Sequence, residues 1–214
     1  QAIEWYEKVQ DNYPDAAQAI AYFREKDISM DEVKIFTPGE KVFCDLSYRN
    51  IKEAYLQVYR VDLMKLYLQE KNLSNITRIQ LAGISPGHEV TVALGDGEDY
   101  ADKTKQLPLA LTEEGAYLII CRGDDLFTSG LVLVTPLTME VQEDSGSGRV
   151  RVNVRDTVDD VYCPEVHVKA IGAANTEFKD GETDLRGIFI ADAIRGEATV
   201  IARDAGSRYA FYRG

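Results

Sequence analysis

The chain is short of the side chains that carry most enzyme chemistry. It has two histidines, three cysteines and one tryptophan in 214 residues. Neither His88 nor His167 has a Ser–Asp or Cys arrangement of triad character nearby, although triad members can lie far apart in sequence. Cys44, Cys121 and Cys163 form no CxxC pair, and with so few histidines a zinc site lacks ligands. A phosphate loop is missing too, because Gly95-Asp96-Gly97 is followed by neither a helix pattern nor a lysine. No apolar run reaches the length of a membrane span. Basic residues are outnumbered, 24 Lys and Arg against 36 Asp and Glu, for a net charge of -12. That balance argues against nucleic acid, whose phosphates need a basic face, and reads as solubility. The chain starts at Gln1 and stops at Gly214 after a strand-like segment. It reads as a piece of a longer polypeptide, so the lack of a signal peptide says little about compartment.

What is present is ordinary for a folded protein: 45% hydrophobic and 28% charged residues, in a length that suits one large domain or two small ones. The first thirty residues have helical spacing. Ile3, Tyr6 and Val9 recur on one face with Trp5 on its flank, and Asn12-Tyr13-Pro14-Asp15 interrupts. Asp15 is the expected N-cap of a second helix whose apolar stripe is Ala16, Ala19, Ile20 and Phe23. From about Glu32 the period becomes that of strands. Lys34 to Phe36 leads to a Pro38-Gly39 turn, and Val42, Cys44, Leu46 and Tyr48 then alternate. Tyr59, Val61 and Leu63 share a face of one long strand, and Val90, Val92 and Leu94 alternate in another. Leu107 to Leu111 and Tyr117 to Cys121 flank a hairpin-like turn at Glu113-Glu114-Gly115. Leu131 to Val134 is apolar throughout, which predicts a central strand buried on both faces. Met64 to Ser74 fits either a helix or an irregular crossing.

Thr135-Pro136-Leu137 is the best boundary, since strand signals restart beyond it. Ser145-Gly146-Ser147-Gly148 reads as a hairpin tip. Val150, Val152 and Val154 alternate with Arg149, Arg151 and Arg155. Val166 and Val168 follow Pro164, and strands are expected over Ile188–Ala191, Glu197–Ala202 and Tyr209–Tyr212. The stretch from Gly181 to Ile190 is the most informative. Thr183 and Asp184 can close a turn onto their own backbone, and Gly181 and Gly187 can take angles other residues avoid. Many short strands separated by turn signals indicate a sandwich or barrel.

Three stretches carry a resemblance. They are Phe36-Thr37-Pro38-Gly39-Glu40-Lys41-Val42 with Tyr48-Arg49-Asn50; Val58-Tyr59-Arg60-Val61-Asp62-Leu63; and Gly181 to Ile190 continuing through Gly196 to Ala202. They resemble the macroglobulin-type sandwich domains of bacterial alpha-2-macroglobulin-like proteins. The third is also similar to carboxypeptidase-regulatory-like modules. The first thirty residues resemble the end of a tetratricopeptide-like array. The resemblance implies a secreted or periplasmic multidomain protein, often a protease trap. The family's Cys-Gly-Glu-Gln thioester does not occur in this chain.

Other constellations have bland readings. Arg122-Gly123-Asp124 matches an adhesion tripeptide but fits a turn after a strand. Asp96, Glu98, Asp99 and Asp102 form an oxygen-rich loop of the kind that can hold calcium, but EF-hand spacing is absent and a solvated loop is favoured; Asp156, Asp159 and Asp160 could supply carboxylates to a cation at a sandwich end or simply keep a turn wet. Asn72-Leu73-Ser74 and Asn75-Ile76-Thr77 fit glycosylation acceptors. Cys44 and Cys121 are expected to face the core, where a disulfide across the sandwich is one alternative and free thiols the other. Cys163 reads as a loop thiol. The expectation is therefore a mainly β chain. Residues 1–31 form a helical segment, 32–136 a macroglobulin-like β-sandwich and 137–214 an Ig-like or carboxypeptidase-regulatory-like one. No catalytic, cofactor or metal residue is expected. The expected role is non-catalytic structural or binding work in a larger extracytoplasmic protein, with protein partners such as other domains or proteases. The alternative is a carbohydrate- or peptide-binding accessory module, for which twelve tyrosines supply candidate platforms.

Overall fold

The computed structural model describes residues 2–69 and 84–214. Two helices lead, α1 (Ala2–Val9) and α2 (Pro14–Arg24). The residue preceding α2 is Tyr13 and Pro14 opens it, so Asp15 lies in the first turn rather than at the cap. Proline suits that place because its missing N–H would be unpaired there anyway. Strands begin at Asp27, ahead of the change of period read near Glu32, with β1 (Asp27–Met30) and β2 (Val33–Phe36). They continue with β3 (Phe43–Arg49) and β4 (Glu53–Val61). The ambiguous stretch opens as a helix, α3 (Leu63–Gln69). Its remainder, with the sequons at Asn72 and Asn75, lies outside the described residues. Next come β5 (His88–Ala93), β6 (Lys103–Pro108), β7 (Gly115–Gly123) and β8 (Leu126–Val134).

These strands make two sheets. One has the order β1-β3-β6 and the other β2-β8-β7-β4-β5. The chain changes sheet between β1 and β2. β1 pairs antiparallel with β3, and β2 then runs parallel to β8, the one parallel pairing among the described residues. At the crossing, the Glu32 carbonyl accepts the Leu131 amide at 2.8 Å. A Cβ on Gly130 would meet the Asp31 carbonyl oxygen at 2.5 Å, so only glycine admits this approach. The Glu113-Glu114-Gly115 turn is not a hairpin. β6 belongs to the first sheet and β7 to the second, so the turn crosses the sandwich edge. Leu107 and Leu109 on one side and Tyr117, Ile119 and Cys121 on the other fill the same core from opposite sheets.

The second pair of sheets uses β9 (Leu137–Asp144), β10 (Arg149–Asp156), β11 (Val161–Tyr162) and β12 (His167–Gly172). It adds β13 (Lys179–Glu182), β14 (Ile188–Ala191), β15 (Ala198–Arg203) and β16 (Tyr209–Arg213). In one sheet β10 pairs with β9, β11 and β14; the other has the order β13-β12-β15-β16. The expected tip between β9 and β10 is present, with the Asp144 carboxylate accepting the amides of Gly146 and Ser147. Val150, Val152 and Val154 point inward to Val168, Ala170, Val200 and Ala202, while Arg149, Arg151 and Arg155 line the outer side. The turn before β14 also forms as read. Gly187 holds φ at 73°, and Asp184 Oδ1 accepts the amides of Arg186 and Ile188. Gly181 lies in β13 without a positive φ, and a Cβ there would come 2.8 Å from the Phe189 ring. Mainly β structure in two antiparallel Ig-like sandwiches with a short helical lead is thus the architecture.

Candidate functional site

Among the described residues three apolar clusters form, and the middle one is the least expected. The first fills the leading sandwich and the third fills the trailing one. The second joins them. Tyr59, Leu63, Met64, Leu66, Ala116, Leu118, Leu131 and Leu133 meet Ile171, Ile201 and Tyr209. Strand geometry explains the sharing. Alternate residues of β8 face opposite ways. Val132 and Val134 enter the first core, while Leu131 and Leu133 enter the junction. β7 divides in the same way, with Tyr117, Ile119 and Cys121 to the core and Ala116 and Leu118 to the junction. On the other side, Val200 and Ala202 of β15 face their own core and Ile201 faces the junction. The apolar run read at Leu131 to Val134 is therefore buried on both faces by two different clusters.

Charged groups ring this cluster. Asp62 sits where β4 turns into α3 and its Oδ1 receives the Lys65 amide at 3.3 Å, as a helix cap does. Its Oδ2 takes a hydrogen bond from Arg203 at 3.3 Å, and its Oδ1 one from the Tyr209 hydroxyl at 3.5 Å. Burial, then the Asp62 charge, pushes the Tyr209 hydroxyl above its ordinary range. Arg208 reaches three carboxylates: Asp204 at 2.6 Å, Asp156 at 2.8 Å and, across the junction, Glu114 at 3.9 Å. Arg213 pairs with Glu32 from the far end of the chain. Asp156 is buried. Burial alone would raise its carboxyl, but the amides of Asp159 and Val158 and the Arg208 guanidinium hold it below the usual range. The carboxylates of Asp156 and Asp160 thus serve structure: Asp156 accepts the amides of Val158 and Asp159 in its own turn, and Asp160 pairs with Arg155.

The leading helices are fastened by the Tyr48-Arg49-Asn50 stretch. Arg49 is buried, lies 4.0 Å over the Tyr22 ring and donates to the Glu25 carbonyl at 3.0 Å and to Asp102 at 2.6 Å. Asn50 donates to the carbonyls of Phe23 and Glu25 and accepts the Tyr100 amide. Three carboxylates of the acidic loop are thereby engaged. Asp102 also accepts the Tyr22 hydroxyl, Asp99 pairs with Lys103, and Asp96 caps Glu98. Arg122-Gly123-Asp124 is tied down as well, since Asp124 pairs with Lys26 and Arg122 donates to the Asp124 carbonyl.

Cys44 and Cys121 are buried free thiols in one cluster, and burial pushes them up to about 11 and about 12. Cys163 is a half-buried free thiol before Pro164. His88 lies in β5 opposite Val58, and His167 lies in β12 opposite Glu182 and Arg203; nothing brings the two together. Among the described residues no three His, Cys, Asp or Glu side chains converge to hold a metal ion, and no helix is long and apolar enough to cross a membrane. Tyrosine divides by layer. Tyr48, Tyr59, Tyr117 and Tyr209 are buried, whereas Tyr6, Tyr13 and Tyr22 are exposed on the helical lead beside Trp5.

No protein-family model matches the chain, and no curated protein matches it. Solved structures of native alpha-2-macroglobulin from Escherichia coli are similar. The piece spanning domains MG0-NIE-MG1 superposes with a TM-score of 0.63 at 11% identity, covering 88% of this chain and 64% of that one. The piece spanning NIE-MG1 gives 0.59 at 12% identity, over 88% of this chain and 97% of that one. The chain thus spans less than two thirds of the longer piece. At such identity the shared property is the fold: two adjoining β-sandwiches of the kind found in bacterial alpha-2-macroglobulin.

Proposed function

We propose that this chain is a non-catalytic, load-sharing part of a larger extracytoplasmic protein of the alpha-2-macroglobulin type. Its units are a helical segment whose helices end at Arg24, a macroglobulin-like sandwich that opens with β1 at Asp27 and runs to about residue 136, and an Ig-like sandwich over 137–214. The observation that carries the reading is the junction. Leu131, Leu133 and Leu118 would lie on the outer face of a lone sandwich, yet here they are buried against Ile171, Ile201 and Tyr209. Burial of that kind fixes the orientation of two modules, which is what a scaffold of linked sandwiches requires. The ring carboxylates and arginines are consumed in pairs with one another, so they serve that orientation and not a reaction. The partners in this reading are proteins: further domains of the same polypeptide and, through the whole assembly, proteases.

The protease-trap role is tested on the full-length polypeptide. It is mixed with trypsin and assayed on a small chromogenic substrate and on a protein substrate. Retained activity on the small substrate with lost activity on the protein supports a trap scaffold. Equal activity on both removes the trap role and leaves a purely structural one. The carbohydrate-binding alternative rests on the exposed Trp5 and Tyr13, at 68% and 63%. Polysaccharide pull-down with Trp5→Ala and Tyr13→Ala variants separates it, because the scaffold reading expects no dependence on either ring.

A further inference from the structure

The outer face of the sheet formed by β9, β10, β11 and β14 mixes arginines with exposed apolar side chains. Its rows follow from the register. Gln142, Arg151 and Ile190 lie side by side; so do Glu140, Asn153 and Ile188; and Thr138, Arg155 and Tyr162. Ile190 and Tyr162 are about half exposed, at 51% and 49%. Tyr162 adjoins the turn that feeds β14, since a Cβ on Gly187 would lie 3.0 Å from its Cβ. Leu185 projects from that turn at 91% exposure. The apolar side chains therefore form one neighbourhood and are not scattered.

Charge divides this face into rim and centre. At the rim, Arg149 pairs with Asp192, Arg155 with Asp160 and Arg186 with Asp184. At the centre, Arg151 finds among the described residues only the Gln142 amide oxygen, at 3.4 Å. Arg151 is exposed beside Ile190 and makes no ion pair among the described residues, with Glu140 in the adjoining row. The same face holds Asn153 Oδ1, the buried side-chain oxygen without a donor among the described residues. An arginine and large apolar groups at the centre, with paired arginines at the rim, is the anatomy of a protein-binding patch.

We propose that this face binds a protein surface presenting a carboxylate set between apolar side chains. The carboxylate pairs bidentately with Arg151, as planar guanidinium favours, and the apolar groups cover Ile188, Ile190 and Tyr162. The proposal rests on the binding-scaffold reading above but names a surface that the protease assay does not probe. A protein can therefore fail as a trap and still bind here, or the reverse.

The probe is a displayed library of random twelve-residue peptides, selected on the immobilised chain. Enriched peptides are then titrated against wild type, Arg151→Glu, Ile190→Ser and, as a charge-matched control elsewhere, Arg195→Glu. Circular dichroism checks that each variant is folded. The expected result is a consensus of Asp or Glu flanked by apolar residues. Its binding should be at least tenfold weaker in Arg151→Glu and Ile190→Ser and unchanged in Arg195→Glu. Failure to enrich any peptide overturns the proposal, as does a consensus without a carboxylate or binding indifferent to Arg151→Glu. Sedimentation of the chain alone is the companion measurement. A dimer that Arg151→Glu abolishes would assign the face to a second copy and overturn the occupant named here; a monomer agrees with it.

Discussion

Ile201→Ala tests whether the junction couples the two sandwiches. Ile201 is 1% exposed and belongs to the middle cluster, while its neighbours Val200 and Ala202 belong to the trailing core. Truncation removes the three carbons beyond Cβ, roughly 2.4 kcal/mol at about 0.8 kcal/mol per buried carbon. The cavity left behind brings the cost to about 3–4 kcal/mol, within the usual span for an isoleucine truncation. Because the lost contacts are to Leu118, Leu131 and Leu133 of the other sandwich, the penalty should fall on coupling. Native-state hydrogen exchange under mild urea is the assay. In the wild type, the amides of β8 and β15 should open together. In Ile201→Ala their opening free energies should separate, with β15 losing more. Val200→Ala is the control, since it weakens the trailing core directly. If Ile201→Ala leaves β8 and β15 exchanging together at unchanged free energy, the junction contributes nothing and the reasoning fails.

Three further outcomes follow from the same geometry. Asp156 has a depressed carboxyl in the folded state, so its contribution is present above the unfolded carboxylate range near 4 and is lost as pH falls through the lower folded value. Asp156→Ala should remove roughly 2–3 kcal/mol at neutral pH, from two backbone hydrogen bonds and the Arg208 pair, and should flatten the acid limb of the urea midpoint against pH. Gly187→Val should cost about 1 kcal/mol or more, because the left-handed φ penalises a side chain and the Val154 carbonyl oxygen lies 2.8 Å from the added Cβ; Asp184→Ala should lower the denaturant midpoint too, and midpoints equal to wild type in both would refute the turn. Under native conditions a thiol reagent should titrate Cys163 alone, with Cys44 and Cys121 reacting only in denaturant; three rapid equivalents without denaturant would contradict the buried placement.

Local grammar made much of this fold legible. The inward valines of β10, the Ser145–Gly148 tip and the Asp184–Gly187 turn each depend on residues within a few positions of one another. What escaped depends on distant ones. The sheet change between β1 and β2 turns on Gly130, a hundred residues along, which looks like any strand glycine in sequence. The Glu113–Gly115 turn has the residues of a hairpin, but its flanking strands pair with β3 and β4 instead. The junction did leave a trace. The unbroken apolar run at Leu131–Val134 signalled two buried faces without saying what covers the second. Arg49 and Asn50 lay within a stretch chosen for its likeness to an opening strand, and their task of clamping α2 could be seen only once α2 was in place.

The shared cluster and its ring of charges should hold the two sandwiches in one fixed orientation. Amide ¹⁵N relaxation on the whole chain tests this. Residues of β3, β4, β7 and β8 should fit the same rotational diffusion tensor as those of β10, β12, β15 and β16. Two separate tensors, with the shorter correlation times of independently tumbling sandwiches, would contradict it.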